Sequence, residues 1–465
     1  MTAETEQITQ ETSAGAVPDI FRKLLRAPDS PDEIDVPISI ISDIIFRILF
    51  NEGHVTLRRF AEVIKMELKV LDSILERMQY DQLVEVASAG SMGRFSYTYT
   101  ITDAGGKRAR DAFERGLYVG PAPVPLEKYT LMIDSQTNQK LHITPDEVKA
   151  AISHLILPEG FHRRIGPAVN AGTSLFLYGP PGNGKTTVAQ SVAGLIAGAD
   201  PVWIPYAITI GGYIVSIFDP YLFEEVPLSK EQLKAYKYNP QSEVDRRWGY
   251  FRRPAVIVGG ELRLDALDLR FDPIAKLYEA PLQLKANCGM FLIDDFGRQQ
   301  ISPSDLLNRW IVPLESGYDF LRLQTGQTLQ VPFRQLIVFS TNLDPLQLVD
   351  DAFLRRIQMK VEVPAPDERM FIQIFATMSQ KLGVPLEREG VMYLLQKYYR
   401  ETGRPMQSVH PRDLLKIIVS MAEYESIPAR LTPETIDNAC QSYFVDASRT
   451  ANLLSTRSSS AKPAK

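Results

Sequence analysis

The chain of 465 residues has only two cysteines, Cys288 and Cys440, which lie far apart in the sequence. So few cysteines exclude a disulfide framework and fit a reducing cytosol. No uncharged apolar run of about 18 residues occurs, so no transmembrane helix is expected. The few histidines show no metal-ligand spacing, and we expect solvated or structural roles for them. They are His54, His142, His154, His162 and His410.

Neither sign of charge is in large excess. The chain has 51 Lys and Arg against 56 Asp and Glu, a formal net charge of −5. A net charge this small creates no long-range field toward nucleic acid or an anionic membrane. Its content of 45% hydrophobic and 23% charged residues is ordinary for globular proteins, and the length suffices for about three domains. We therefore expect a soluble, cytoplasmic, multi-domain protein.

The two ends of the chain are polar. Residues 1–35 begin with an acidic stretch that lacks the apolar core of a signal peptide, and the tail 449–465 is rich in Ser, Ala and Lys. Segments of this composition bury too little apolar surface to fold alone. We predict disorder at both ends.

Residues 36–118 alternate helical and strand patterns in a recognisable order, and Thr56 is a candidate N-cap. The predicted elements are the helices Ile38–Phe50, Leu57–Ile64 and Leu68–Tyr80, the strands Leu83–Val86 and Phe95–Ile101, and a helix after Thr102. Three helices, a two-stranded wing and a closing helix resemble a winged helix-turn-helix. Basic and acidic residues are equal in number here and alternate along the presumed recognition helix, so protein docking is favoured over DNA binding.

The remainder of the chain divides by composition. Residues 119–140, which begin with the proline-rich Gly120–Pro125, are predicted as a linker. Residues 141–364 alternate strand-like and helical segments, as in an α/β nucleotide-binding domain. Residues 365–448 have only helical patterns and are predicted as a small all-α domain; the breaks between the helices are Gly383-Val384-Pro385, Gly403-Arg404-Pro405 and Leu431-Thr432-Pro433.

The most specific motif lies at the start of the α/β region. Gly179-Pro180-Pro181-Gly182-Asn183-Gly184-Lys185-Thr186 fills the phosphate-loop pattern G-x-x-x-x-G-K-[ST], between the strand-like Ser174–Tyr178 and a helical segment that begins with Thr187. Glycines let backbone N–H groups face the phosphates, and a helix N-terminus attracts anions. Lys185 is the candidate ligand of the β- and γ-phosphates, Thr186 a candidate Mg²⁺ ligand, and Thr187 a further contact of the nucleotide.

Other residues suited to this chemistry follow in order. Asp294 and Asp295 end the apolar run Gly289–Ile293, where one carboxylate can hold Mg²⁺ and the next can orient or deprotonate water. Asn342 ends the apolar run Leu336–Phe339 and its polar Ser-Thr extension. Two arginines follow within the segment 351–357, and a third begins a helix of the C-terminal region; the guanidinium group binds phosphate well. They are Arg355, Arg356 and Arg412.

The order and spacing of these motifs over about residues 140–448 resemble the AAA+ ATPase family. The resemblance implies that residues 179–186 are the Walker A motif, Asp294-Asp295 Walker B, Asn342 sensor 1, Arg355 and Arg356 the arginine-finger segment, and Arg412 sensor 2. It implies ATP and Mg²⁺ as cofactors, a parallel α/β P-loop sheet with an all-α lid, and a ring of copies, commonly a hexamer. The family usually has Asp-Glu at Walker B, so Asp295 implies slower hydrolysis or a nucleotide switch.

Two further patterns bear on the branch of the family. The alternating segments Asp319–Leu323 and Thr328–Val331 flank a turn with Gly326 and predict a β-hairpin before sensor 1. This resembles the pre-sensor 1 hairpin clade, which includes MoxR-like chaperones. The long segment 199–288 offers Tyr213 or Trp248 as pore residues, although a buried aromatic is the simpler interpretation. We expect a protein-remodelling ATPase; the alternatives are an ATP-controlled DNA-binding regulator and a non-hydrolysing switch.

Overall fold

The structure, a computed structural model, describes residues 17–89, 93–139, 141–348 and 354–444. Residues 1–16 and the predicted disordered tail 449–465 lie outside this part of the chain. Within it, no helix combines the length and the apolar character needed to cross a membrane.

The first elements form a small helical unit with a three-stranded antiparallel sheet, in the order β1-β3-β2. From residue 17 to residue 115 the elements are α1 (Asp19–Leu24), α2 (Ile38–Glu52), β1 (Val55–Thr56), α3 (Leu57–Ile64), α4 (Leu68–Tyr80), β2 (Val84–Ser88), β3 (Thr98–Ile101) and α5 (Asp103–Arg115). From α2 onward, the helices and the strands β2 and β3 follow the order predicted for residues 36–118, and the short strand β1 is an addition to it. The bounds of α3 and α4 match the prediction, and the Thr56 hydroxyl caps α3 by accepting from the Arg59 N–H at 3.2 Å. The second wing strand starts later than predicted because Gly93–Ser96 form a 3₁₀ turn.

The middle of the chain contains two sheets and the helices around them. Its elements are β4 (Val124–Pro125), α6 (Leu126–Asn138), α7 (Pro145–Ala151), α8 (His162–Ala171), β5 (Ser174–Tyr178), α9 (Lys185–Ala197), β6 (Val202–Pro205), β7 (Ala207–Ile210), β8 (Tyr213–Ser216), α10 (Lys230–Tyr236), β9 (Trp248–Phe251), β10 (Ala255–Val258), β11 (Arg270–Asp272), β12 (Leu277–Glu279), α11 (Leu282–Lys285), β13 (Met290–Ile293), α12 (Pro303–Ser316), β14 (Tyr318–Arg322), β15 (Thr328–Pro332), β16 (Leu336–Thr341), α13 (Pro345–Leu348) and β17 (Met359–Glu362).

The central sheet is parallel throughout, in the order β10-β13-β16-β5-β17. Its three inner strands, β13, β16 and β5, are largely apolar and buried on both faces, as parallel sheets covered by helices require. In β5, Leu175 and Leu177 pack toward α9 while Phe176 packs on the opposite face against Phe339. The carboxyl ends of β5, β13 and β16 therefore lie together at one edge of the sheet.

The C-terminal part of the described chain is helical, and we call it the lid. It contains α14 (Glu368–Leu382), α15 (Arg388–Leu394), a π-helical turn (Leu395–Arg400), α16 (His410–Glu425) and α17 (Pro433–Tyr443). Gly383 ends α14 in the left-handed conformation, with φ of +69°. The predicted α/β P-loop sheet with an all-α lid is confirmed.

The segment 199–288 is not a set of long loops. It supplies four strands of a second five-stranded sheet, whose order is β11-β12-β8-β7-β4, and both strands of the antiparallel pair β6-β9. Trp248 is only 3% exposed, and Tyr213 packs edge-on against Tyr278 with ring centroids 5.5 Å apart. Both aromatic side chains belong to the folded core, so the simpler interpretation applies to them rather than a pore role.

The linker predicted for residues 119–140 is wrong. Val124 is buried in the edge strand β4, and Tyr129, Met132 and Ile133 of α6 are fully buried in the core of the second sheet. The prolines suggested a spacer, yet an edge strand tolerates proline because its outer side needs no N–H donor. The apolar residues of α6 recur at helical spacing and form its buried face.

The predicted disorder of residues 1–35 is wrong from residue 17 onward. Phe21, Leu24 and Leu25 are buried in the same core as α6. Leu25 O also accepts the Asp245 N–H at 2.7 Å. The short apolar stretch of α1 is stabilised by this long-range packing rather than by its own composition.

The predicted hairpin before sensor 1 is present as β14 and β15, which pair antiparallel from Tyr318–Pro332 to Arg322–Thr328. Leu321, Leu329 and Val331 turn into the core of the second sheet. One face of the hairpin therefore packs against the second sheet.

Candidate functional site

The phosphate loop joins β5 to α9, which begins at Lys185. Gly179 has φ of +136°, and a Cβ there would lie 2.3 Å from the carbonyl oxygen of Val363. Gly184 has φ of +88°. These positions require glycine, because a side chain would clash at the first and strain the backbone at both.

Lys185 is 5% exposed and folded against its own loop. Its Nζ donates to the carbonyl oxygens of Gly179 at 2.9 Å and Pro180 at 2.8 Å. Burial lowers the pKa of Lys185, opposed by the nearby charges of Asp295 and Asp294. The ammonium group is therefore held beside the place where a triphosphate would lie.

The two carboxylates meet the loop at the carboxyl edge of the sheet. The Thr186 hydroxyl donates to Oδ2 of Asp294 at 2.8 Å. Both are hard oxygen ligands of the kind that Mg²⁺ prefers, so the pair fits this ion. Asn342, directly after β16, donates from Nδ2 to Oδ1 of Asp295 at 3.0 Å. The structure thus brings Thr186, Asp294, Asp295 and Asn342 together.

Gln299 holds the turn that carries the carboxylates, and the sequence patterns did not reveal it. Its Nε2 donates to the backbone carbonyl oxygens of Asp294 at 2.9 Å and Asp295 at 3.2 Å, and its Oε1 accepts the Gly297 N–H at 2.8 Å. Its position a few residues after the paired acids was the only signal, and many polar residues share that signal.

A cavity of about 440 Å³ opens above the loop, between the central sheet and the lid. Its polar end is formed by Gly182–Thr187, Asp295, Asn342 and Arg412. The segment before α8 and the helix α14 line the rest of the cavity, which we call its apolar end. Its apolar residues are Leu155, Ile156, Leu157, Ile374 and Met378, and the polar His154, Thr377 and Lys381 line the cavity beside them. Gly179, Pro180 and Pro181, the first three residues of the loop, are not among the residues that line the cavity. The apolar run at Leu155 could have indicated the apolar end.

Arg412 reaches the cavity from α16. Its side chain is about half exposed, and its Nε donates to Oδ1 of Asp413 at 2.8 Å. The lid therefore places one guanidinium above the phosphate loop, as the sequence predicted for a residue at this position.

Arg355 and Arg356 lie away from the cavity. Leu354 and Ile357 are buried and anchor the segment, while Arg355 is exposed and Arg356 pairs with Glu315 of α12 at 2.6 Å. Asp351, Ala352 and Phe353 lie outside the described residues.

This segment sits at the edge of the sheet opposite to the phosphate loop. Gln358 N–H donates to the hydroxyl of Ser174, the first residue of β5, whereas the loop follows Tyr178, the last one. The length of β5 alone separates the two edges by about 13 Å. Neither arginine contributes to the cavity of its own chain among the lining residues.

Among the described residues, no group of three or more His, Cys, Asp or Glu is arranged to hold a metal ion by itself. The pair Thr186 and Asp294 is a different type of site, because Mg²⁺ bound with a nucleotide takes further ligands from phosphate and water.

The strand order, the phosphate loop ahead of α9 and the helical lid define an AAA+ P-loop fold. A family model described as a domain of unknown function (DUF8689) matches residues 367–442, within the lid. No curated protein matches the chain.

Solved structures with related folds include NtrX from Brucella abortus in complex with ADP, with a TM-score of 0.37 and 11% identity over 60% of this chain and 55% of that one. NtrX from the same organism in complex with ATP has a TM-score of 0.36 and 13% identity, over 71% of this chain and 67% of that one. A RuvB mutant from Thermotoga maritima has a TM-score of 0.34 and 12% identity, over 66% and 72%. The chain spans little more than half the length of the first of these structures.

Proposed function

We propose that this protein binds ATP with Mg²⁺ and hydrolyses it. One observation carries the proposal: the hydrogen bonds Thr186–Asp294 and Asn342–Asp295 join the phosphate loop, the paired carboxylates and the strand-end amide at a single edge of the sheet. A buried lysine stands beside them. Within one chain, these residues supply the lysine that binds phosphate, the oxygen ligands for Mg²⁺ and the carboxylate that orients water, which phosphoryl transfer to water uses.

In the proposed mechanism, the amides at the start of α9 and the Lys185 ammonium bind the β- and γ-phosphates. Thr186 and Asp294 would hold Mg²⁺, and the ion would neutralise phosphate charge. Asp295 orients the attacking water and accepts its proton, and Asn342 fixes the carboxylate through its Nδ2. Arg412 contacts the phosphates from the lid.

The apolar end of the cavity fits the base of the nucleotide. Leu155 and Leu157 come from the chain before the sheet, while Ile374 and Met378 lie one turn apart on α14. A flat aromatic base between such side chains buries apolar surface from both units. ATP bound here would thereby connect the lid to the sheet.

We further propose that the protein acts as a ring of copies, which the family resemblance suggests is a hexamer. Arg355 is exposed at the edge of the sheet opposite to its own phosphate loop. An arginine there serves catalysis by reaching the loop of a neighbouring copy. An arginine supplied in this way typically raises the rate by about 10³–10⁵.

We propose that ATP hydrolysis drives the remodelling of a protein client in the cytoplasm, as the resemblance to the pre-sensor 1 hairpin clade suggests. The winged-helix unit would recruit this client. In support, Arg94 of the wing pairs with Asp72 and Glu76 on α4, the presumed recognition helix, at 3.0 Å each. A helix with acidic side chains at this face is poorly suited to the phosphates of DNA.

Two measurements test the proposal. The purified full-length protein, with millimolar Mg²⁺ and labelled ATP, should bind nucleotide and release phosphate. Binding without phosphate release would favour the nucleotide switch instead, and no uptake of ATP would contradict the proposal altogether.

The rival role as an ATP-controlled DNA-binding regulator is tested by titrating the full-length protein with duplex DNA at several salt concentrations. We expect no association that weakens steeply with salt. A micromolar or tighter, salt-dependent association would favour the rival.

A further inference from the structure

The phosphate loop touches the lid directly. The Val409 N–H donates to the carbonyl oxygen of Gly182 at 2.9 Å, and the Ser408 N–H donates to Oδ1 of Asn183 at 3.1 Å. Asn183 is 3% exposed, and its Nδ2 donates to the carbonyl oxygen of Pro180 at 3.4 Å. One side-chain amide therefore bridges the outer turn of the loop and the backbone of the lid.

Gly182 shows how close this contact is. Its φ is +74°, and a Cβ there would lie 2.8 Å from both Oε1 of Gln407 and Cγ1 of Val409. A side chain at this position would have to displace the side chains of Gln407 and Val409.

The contact also sets the position of Arg412. Val409 is the N-cap of α16, and Arg412 lies three residues further on the same helix. Residues at this spacing lie on one face of a helix, and both line the nucleotide cavity. Fixing Ser408 and Val409 to the loop therefore fixes the distance of Arg412 from the phosphates.

We propose that Asn183 is a positioning residue, which fastens the lid to the phosphate loop so that Arg412 is placed over the bound nucleotide. This inference rests on the proposed ATP hydrolysis. Asn183 and Lys185 donate to the same carbonyl oxygen, that of Pro180. A bound triphosphate would draw Lys185 away from the carbonyl oxygen of Pro180, which Asn183 would then have to itself. The contact between Asn183 and the lid would thereby depend on whether the loop holds a nucleotide.

The test compares two substitutions at Asn183 in the full-length protein. Asn183→Ala removes the acceptor for the Ser408 N–H, whereas Asn183→Asp keeps an acceptor there and removes the donor to Pro180. Hydrogen exchange without nucleotide is measured for peptides that cover residues 405–410. Steady-state ATP hydrolysis gives kcat and KM for each variant, and Ser442→Ala, on the exposed surface of the lid, is the matched control.

Asn183→Ala should speed exchange at Ser408 about fivefold, the factor expected for one lost hydrogen bond. Its kcat should fall by about tenfold to a hundredfold because a misplaced group costs that much, with a smaller change in KM. Asn183→Asp should keep the exchange slow and raise KM, since its charge repels the phosphates. Ser442→Ala should match the wild type in both measurements.

Unchanged exchange at Ser408 in Asn183→Ala would overturn the proposal, and so would faster exchange with an unaltered kcat. The exchange measurement uses no nucleotide. It therefore still reports on the lid contact if the wild-type protein proves unable to hydrolyse ATP, which would contradict the proposed function separately.

Discussion

Asp295 is held in an unusual backbone conformation at the proposed site. Its φ is +49°, in the left-handed region that few non-glycine residues adopt. The side chain of Asn342, which donates to its carboxylate, and the side chain of Gln299, which donates to its backbone carbonyl oxygen, hold it there. Strain of this kind is often retained where a side chain must be aimed at a reacting group.

The first prediction concerns this carboxylate. Asn at position 295 keeps the shape of the side chain but accepts no proton from water, so Asp295→Asn should lower kcat by at least about 100-fold. ATP binding should persist, because Lys185 and the loop are unchanged. Phosphate release and the binding of a fluorescent ATP analogue measure the two effects.

Lys185→Ala is the matched control, and it should lose most of the nucleotide affinity. Turnover of Asp295→Asn close to that of the wild type would show that a different group is the base.

At the scale of single elements, the lid helix α16 begins with a buried histidine. His410 Nδ1 lies 2.8 Å from the Tyr399 hydroxyl. Burial, together with the positive charge of Arg404, lowers the pKa of His410 to about 4. The imidazole is therefore neutral in the folded lid at neutral pH.

The second prediction follows from this pKa. In the unfolded chain His410 has its ordinary pKa near 6.5, so the unfolded state binds more protons between about pH 6.5 and pH 4. The lid should lose stability as the pH falls through this window and show no such change above it. Hydrogen exchange across α16 and thermal unfolding, measured from pH 7.5 to pH 5, test the direction.

His410→Gln removes the titrating group and should make the stability of the lid less dependent on pH in the same range. An equally steep loss of stability in this variant would assign the effect to other groups.

At the scale of the whole molecule, an ion network around a buried arginine connects the N-terminal helical unit to the second sheet. Arg247 is 0% exposed and pairs with Asp35 and Asp245 at 2.7 Å each. Burial favours the neutral form of Asp35, yet Arg247 and Lys128 keep its pKa below the ordinary value. The segment that precedes α2 of the N-terminal unit is thus fixed to the segment before β9.

The third prediction is that Arg247→Met lowers the free energy of unfolding by about 3–5 kcal/mol, since it leaves the buried carboxylate of Asp245 without its main partner. Urea unfolding measures the change. Arg252→Met, which removes an exposed pair with Glu224, should alter stability by less than about 0.5 kcal/mol. Similar small changes in both variants would mean that the network contributes little.

The fourth prediction concerns assembly. Arg355→Ala should bind ATP but not turn it over, and Lys185→Ala should do neither, yet a mixture should regain activity. With random mixing in a ring, about a quarter of the seams pair an intact loop with an intact arginine. Phosphate release by the mixture, compared with each variant alone, is the measurement.

A mixture no more active than its two components would place Arg355 outside the catalytic site. Arg356→Ala in the same experiment shows whether the arginine paired with Glu315 takes part.

Short stretches of sequence determined many local features of this protein. The phosphate loop, the strand ends at Asp294 and Asn342, the hairpin around Gly326 and the bounds of α3 and α4 were predicted because each depends on local chemistry: glycine conformations, helix capping and apolar periodicity. The roles of the site residues remain predictions.

Only the tertiary structure decided where distant segments meet. It placed β4, α6 and α1 in the core of a second sheet, Gln299 behind the carboxylates, and Ser408 against Asn183. It also put Arg355 at the edge of the sheet opposite to its own loop. These features depend on strand pairing and packing between residues far apart in the chain, and no local pattern records which distant partner will bury a given apolar face.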